Sequence, residues 1–175
     1  VVETMRVAAP YRYHPADAGR RALANLALLH LAAAGDGEGL ALARARYDAA
    51  TNMTDRFGAL SALVNSADPG RDEALADFRT RYRDDALVLD KWFALQAGAW
   101  RFSADSPPTL ERVRALLADD AFTLTNPNKV YALLGGFFRA NPGEFHAGDG
   151  AGHAFWADQV IALNLRNPQV AARMA

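Results

Sequence analysis

Five prolines in this chain each follow a residue whose side chain can accept a hydrogen bond: Asp68-Pro69, Ser106-Pro107, Asn126-Pro127, Asn141-Pro142 and Asn167-Pro168. Such a pair is a helix-start signal, because the side-chain oxygen caps free amides of the first turn and a proline at the first helical position loses no bond. Repeated along the chain, these marks cut it into helix-length segments with short connections. Between them apolar residues recur at helical spacing: Met53, Phe57, Leu60 and Val64, then Leu75, Phe78 and Tyr82, then Val130, Leu133 or Leu134, and Phe137. Asn52 followed by Asp55 resembles a capping box with Asp in place of the usual Glu or Gln. No alternation of the strand kind with hairpin turn chemistry occurs. The pattern predicts helices near 16–34, 38–49, 52–66, 69–83, 86–100, 107–118, 127–140, 152–165 and from 168 onward.

Short connections make successive helices antiparallel neighbours. The stretch "ALANLALLHLAAA" carries leucines at 23, 26, 28, 29 and 31. A helix apolar nearly all round is expected to be covered on both sides. That requirement suits an all-α, α-solenoid-like array of antiparallel helix pairs, a HEAT/armadillo-like superhelix, better than an isolated four-helix bundle. No residue-level repeat is visible, so the expectation rests on packing logic. It treats residues 1–175 as a single helical domain. Gly135-Gly136 inside "YALLGGFF" weakens a helix, and its expected use is the close approach of a neighbouring helix.

Composition narrows the function classes. Hydrophobic residues at 51% and charged residues at 22% exclude disorder as a default. A net charge of -1 gives no bias toward nucleic acid or an anionic membrane, and neither is an expected partner. The absence of cysteine excludes disulfides and Cys-ligated zinc, and fits a reducing, cytoplasmic setting. No apolar stretch reaches the roughly 18 residues of a membrane span. The start "VVETMRVAAPYRYHP" has neither an initiator Met nor a signal-peptide pattern and reads as a cut point.

Several stretches could carry chemistry, and each has a plainer reading. "FHAGDGAGH" places His146, Asp149 and His153 in one glycine-rich connection, a possible ligand set for a divalent metal, but its spacing matches no established zinc motif and its glycines suit a turn. "GDGEG" at 35–39 follows a helix and lacks the Lys and Ser/Thr of a phosphate loop, so it reads as a turn. "FRTRYR" interleaves arginine with aromatics as single-strand binders do. On a helix, however, Phe78 and Tyr82 share the buried face while Arg79, Arg81 and Arg83 spread over the exposed one. His30 reads as a core or rim histidine with no nucleophile motif beside it, and Trp92, Phe93 and Trp100 as core. These residues specify no reaction.

Five segments taken in order carry a resemblance: "YDAATNMTDRFGALSALVNS", "LVLDKWFALQA", "FTLTNPNKVYALLGGF", "NPGEFHAGDGAGHAFW" and "LNLRNPQVAARMA". They resemble consecutive segments of the C-terminal helical domain of bacterial aminopeptidase N, a gluzincin-class zinc metallo-aminopeptidase. The similarity runs from about Tyr11 onward. In that family an H-E-x-x-H helix with a distant glutamate holds the zinc, and a G-x-M-E-N loop binds the free amine of the substrate. Neither motif occurs here, so the resemblance implies that the catalytic domain, and the zinc with it, belong to an upstream part of the same polypeptide. No catalytic or metal residue is assigned to this chain.

The resemblance also implies that Gln169 and Arg173 point into the closed cavity over the zinc site and contact the distal part of a bound peptide. Their i, i+4 spacing puts an amide and a guanidinium on one helical face. Tyr131 is a third, weaker position of this kind, because relatives can carry a basic residue there. The family's helical domain continues past the equivalent of Ala175, so the carefully capped last helix is expected to be cut short. Residues near Phe155, Trp156, Ile161 and Val170 are then expected to be partly exposed or hidden by a dimer contact. The expected function is a helical cap that restricts peptide entry to an aminopeptidase site and is inactive alone. The alternative is a stand-alone helical module that binds a protein partner.

Overall fold

The computed structural model describes residues 1–7, 9–102 and 106–175, and among these every regular element is helical. The elements are α1 (Pro15–Ala33), α2 (Gly37–Ala49), α3 (Met53–Val64), α4 (Arg71–Arg81), α5 (Ala86–Ala97), α6 (Thr109–Leu116), α7 (Pro127–Val130), a π-helical turn (Tyr131–Gly135), α8 (Gly136–Ala140), α9 (Pro142–Phe145), α10 (Ala151–Asn164) and α11 (Pro168–Met174). The all-α fold expected from the sequence is the fold that forms. The chain divides into two compact units, Val1–Asp77 and Phe78–Ala175.

Two of the five cap-proline pairs open helices as read: Asn126 accepts from the Asn128 amide and Asn167 from the Val170 amide. The Asn52–Asp55 box also forms, in a variant way. Asn52 Oδ1 accepts from the Asp55 amide at 3.0 Å, and the Asp55 carboxylate takes the Asn52 side-chain amide at 2.8 Å rather than its backbone N–H. The other three pairs differ. Asp68 Oδ1 accepts from the Gly70 amide at 2.8 Å and from Arg44 at 2.5 Å, forming a turn, and α4 starts only at Arg71. After Ser106-Pro107 comes Pro108, which disfavours helical backbone at the residue before it, so α6 begins at Thr109. Asn141 caps nothing; its side-chain amide donates instead to the carbonyls of Ala97 and Ala99, at 3.2 and 3.0 Å. The short α9 after it is absent from the helices read in the sequence.

In the first unit α3 packs against both α1 and α2, around Leu28, Tyr47, Leu60 and Leu63. The α1–α3 contact is close because residue 58 is glycine: a Cβ there would lie 2.3 Å from Asn25 Cγ, whose amide reaches the Thr54 carbonyl at 3.1 Å. Arg56 of α3 donates to the Tyr47 and Ala50 carbonyls at the end of α2. Among the described residues α1 is covered on one side, not on both as expected. Ala24, Leu28 and Ala32 form its buried stripe, while Leu23, Leu26 and His30 are exposed, because α2 and α3 pack on that one side.

In the second unit the continuous helical stretch from α7 through the π-helical turn to α8 runs along α5. Val130, Leu133, Leu134 and Phe137 are all fully buried, as their spacing predicted. Gly136 makes the approach possible: a Cβ there would sit 3.2 Å from Ala97 Cβ and 3.4 Å from Ala94 Cα. Gly135 meets nothing closer than 3.9 Å, so the close contact belongs to one glycine of the pair. Buried Lys129 ties the two elements together, with Nζ 2.8 Å from Asp90 Oδ1 and 3.1 Å from the Ala86 carbonyl. Trp92 and Phe93 are core, but Trp100 is exposed, since α5 ends at Ala97 before reaching it. Phe155 and Val170, expected at a ragged end, are buried; Trp156 is half-buried and Ile161 is 65% exposed. Phe155 escapes solvent by stacking edge-on against Phe137 and Phe138, with ring centroids 6.2 and 5.9 Å away.

Arg79 is more than the solvated arginine the pattern suggested. It bonds Asp119 at 2.9 Å, also reaches Asp120, and lies 5.7 Å from the Trp92 ring centre. Burial pushes the Asp119 carboxyl up, but hydrogen bonds from Arg79 and the Ala121 amide outweigh it and hold the group below its ordinary range. Because the folded value lies below the unfolded one, this contribution to stability is complete above the unfolded value and is lost as pH falls through the folded one. Urea unfolding of wild type and Asp119→Asn between pH 7 and pH 3 tests this: wild type is expected to lose more stability than the variant below about pH 4.

Candidate functional site

The three positions singled out for peptide contact lie on α11 and the π-helical turn. Asn167 and Pro168 open α11, and its Val170, Ala171 and Met174 are buried. That burial turns Gln169 and Arg173, one helical turn apart, to the solvent side together. Two donors from other elements hold the last turn. Arg139 of α8 donates to the Arg173 carbonyl at 2.5 Å, and the Trp156 indole N–H of α10 donates to the Met174 carbonyl at 2.9 Å. α11 is thus held by the Asn167 cap at its start and by these two donors further along.

The backbone of Arg173 is held while its guanidinium is free. Among the described residues neither the Gln169 nor the Arg173 side chain has a hydrogen-bond or ion-pair partner. Tyr131 is the first residue of the π-helical turn and is half-buried; its hydroxyl is buried without a hydrogen-bond partner among the described residues. Single π-helical turns within helices are frequent at functional sites, where they re-aim a side chain. The structure brings Gln169 and Arg173 onto one face. No hydrogen bond among the described residues joins Tyr131 to either. Arg139 is the residue the sequence reading missed, since only the packing of α8 beside α11 puts its guanidinium on that helix end.

The other candidates resolve differently. His30 is exposed rather than packed. Asp149 is engaged in the turn before α10, accepting from the Ala151 amide at 2.9 Å. No three His, Cys, Asp or Glu side chains among the described residues converge on a point. These residues therefore do not fit the catalytic zinc that the resemblance assigns to the larger enzyme. No helix among the described residues is long and apolar enough to cross a membrane.

Over residues 1–175 the chain matches the family described as "Domain of unknown function (DUF3458_C) ARM repeats". The chain belongs to that family. Its helical array is accordingly of the ARM-repeat kind, as the packing argument anticipated. The chain is 39% identical over 164 residues to aminopeptidase N of Escherichia coli (strain K12), covering 94% of this chain and 18% of that protein. It is 40% identical over 170 residues to aminopeptidase N of Caulobacter vibrioides, covering 97% and 19%. The crystal structure of Legionella pneumophila aminopeptidase A in complex with aspartic acid superposes with a TM-score of 0.85 at 30% identity, over 99% of this chain and 21% of that one. These relatives bear out the resemblance to the helical domain of aminopeptidase N. The chain spans about a fifth of the length of the relatives it matches.

The Tyr131 hydroxyl, without a partner among the described residues, makes a direct test of the local structure. Removing a buried hydroxyl that lacks a hydrogen bond relieves its desolvation cost. Tyr131→Phe is therefore expected to stabilise the chain, by about 1 kcal/mol, in urea unfolding. A loss of similar size would reveal a hydrogen bond at that hydroxyl.

Proposed function

We propose that this chain is a non-catalytic helical domain of an aminopeptidase N-like enzyme, which covers the active-site cavity and limits which peptides reach it. The observation that carries the reading is the pair Gln169 and Arg173: a backbone anchored by Arg139 and Trp156 presents an amide and a guanidinium that no side chain or carbonyl among the described residues occupies. Side chains of this kind on a fixed helix suit the backbone carbonyls or the carboxylate of an extended peptide, because the planar guanidinium offers paired donors. The chemistry itself belongs to the rest of the polypeptide, which supplies the zinc when that ion is bound. The domain's partners in this reading are that upstream catalytic domain and the peptide substrate. The setting is cytoplasmic, with neither nucleic acid nor membrane involved. The exposed Ile161 of α10 and Leu165 just after it would be covered by further helices or by a dimer contact.

Arg173 works in this reading by contacting the distal end of a peptide, which short chromogenic substrates never reach. In the full-length enzyme Arg173→Ala is expected to lower kcat/KM for a tri- or tetrapeptide about tenfold or more, the worth of a charged hydrogen bond of about 1.5–3 kcal/mol. An alanine-arylamide should be turned over almost unchanged. Arg173→Lys should recover only part of the loss, since it keeps the charge without the fork. Equal losses on both substrates would point to disturbed domain docking, and no loss on either would return Arg173 to the solvent.

The second expectation concerns the chain by itself. Freed of contaminating peptidase and supplied with zinc, the 175-residue chain should leave an alanine-arylamide uncleaved. Hydrolysis that follows the chain through purification would overturn the non-catalytic assignment.

A further inference from the structure

We propose that His146 and His153 form a surface site for an exchangeable divalent transition ion of the zinc, nickel or copper kind. Nδ1 of His146 and Nε2 of His153 lie 3.2 Å apart and share a hydrogen bond, so a bound ion would take the place of the proton between them. Two zinc–nitrogen bonds of about 2.0–2.1 Å meeting at a tetrahedral angle hold their nitrogens about 3.3 Å apart. The two imidazoles thus already stand at the separation of two ligands on one ion. They do so on a support: the Phe145 ring lies against both, with centroids 4.8 Å from His146 and 4.7 Å from His153.

The glycines between them have a specific part in this. Gly150 turns the chain with a φ of 71°, a conformation that side chains strain, and its loop delivers α10 directly onto α9. A Cβ at residue 152 would fall 2.2 Å from the Phe145 carbonyl oxygen. Only glycine lets the first turn of α10 come close enough for His153 to meet His146. The glycine-rich connection that the sequence reading took for a turn is a turn, and it is also what brings the two rings together.

Both histidines are exposed, so water can fill the remaining coordination positions. With Asp149 committed to the Ala151 amide and no third ligand converging, the ion is expected to exchange freely and to be removed by a chelator. A pair of imidazoles favours zinc, nickel and copper over the oxygen-seeking magnesium and calcium. The site is independent of the peptide-facing arginine, and it stands or falls separately from it.

The test uses the 175-residue chain, stripped with EDTA and titrated with zinc chloride by calorimetry. One zinc per chain is expected to bind. His146→Ala and His153→Ala should each weaken binding by at least about tenfold, the scale on which even supporting residues alter metal affinity. A His14→Ala, His30→Ala double variant should bind like wild type, and magnesium should not bind at the site. Gly152→Ala keeps both imidazoles and should weaken binding by separating them. Copper(II) added to wild type should broaden the ring resonances of His146 and His153 before those of His14 and His30, a readout that needs no variant. Absence of zinc binding in wild type, binding that survives either single replacement, or broadening centred on His14 or His30 would overturn the proposal.

Discussion

A chain made of short helices faces one problem repeatedly: each helix leaves four amides at its start and four carbonyls at its end with no partner inside the helix. Here local caps such as Asp36, Asn52, Asp85, Asn126 and Asn167 serve many helix starts, and side chains from other elements serve one start and several ends. Glu144 of α9 accepts from the first amide of α6, at Thr109. Asn141 and Thr109 occupy carbonyls at and beyond the end of α5, Arg56 of α3 takes those ending α2, and Arg139 and Trp156 take those ending α11. Each of these bonds joins two elements while it completes one. At these helix ends, completing the helix and packing it against its neighbour are the same event.

That coupling also fixes α11, whose exposed side carries Gln169 and Arg173. Asn167 caps the start, Val170 and Met174 are buried, and two donors from α8 and α10 lock the last carbonyls. The freedom that remains is concentrated in the side chains of Gln169 and Arg173. A rigid backbone that presents uncommitted hydrogen-bonding groups loses little order on binding, which is the condition for a contact to contribute its full strength.

Glycine has the complementary part. At Gly58, Gly136 and Gly152 the neighbouring element comes so close that a Cβ would meet it at 2.3, 3.2 and 2.2 Å respectively. Each sits in a helix, where glycine is costly, and each cost is repaid by a contact: Asn25 of α1 against α3, Ala97 of α5 against α8, and the Phe145 carbonyl of α9 against α10. The third of these sets the distance between His146 and His153.

Much of this was legible in the residues. Apolar spacing located nearly every helix within a few residues, because burial of one stripe is a local property of the sequence. The Asn126 and Asn167 caps were legible for the same reason, since the cap and the amide it serves lie within three residues of each other. Ser106 failed because a second proline displaced the start, and Asn141 failed because its side-chain NH2 group donates to two distant carbonyls while its oxygen caps no local amide. The leucines of α1 showed that the helix is apolar all round, but not that only its Ala24–Leu28–Ala32 side meets other helices. The order of five segments pointed to the family. By itself, then, the sequence determined the helices, many of their caps, the face shared by Gln169 and Arg173, and the kinship. Only the tertiary structure decided which side of α1 is covered, which donor completes α11, and that two histidines seven residues apart meet at 3.2 Å. Those outcomes depend on how elements distant in sequence pack, and neither spacing nor composition encodes that packing.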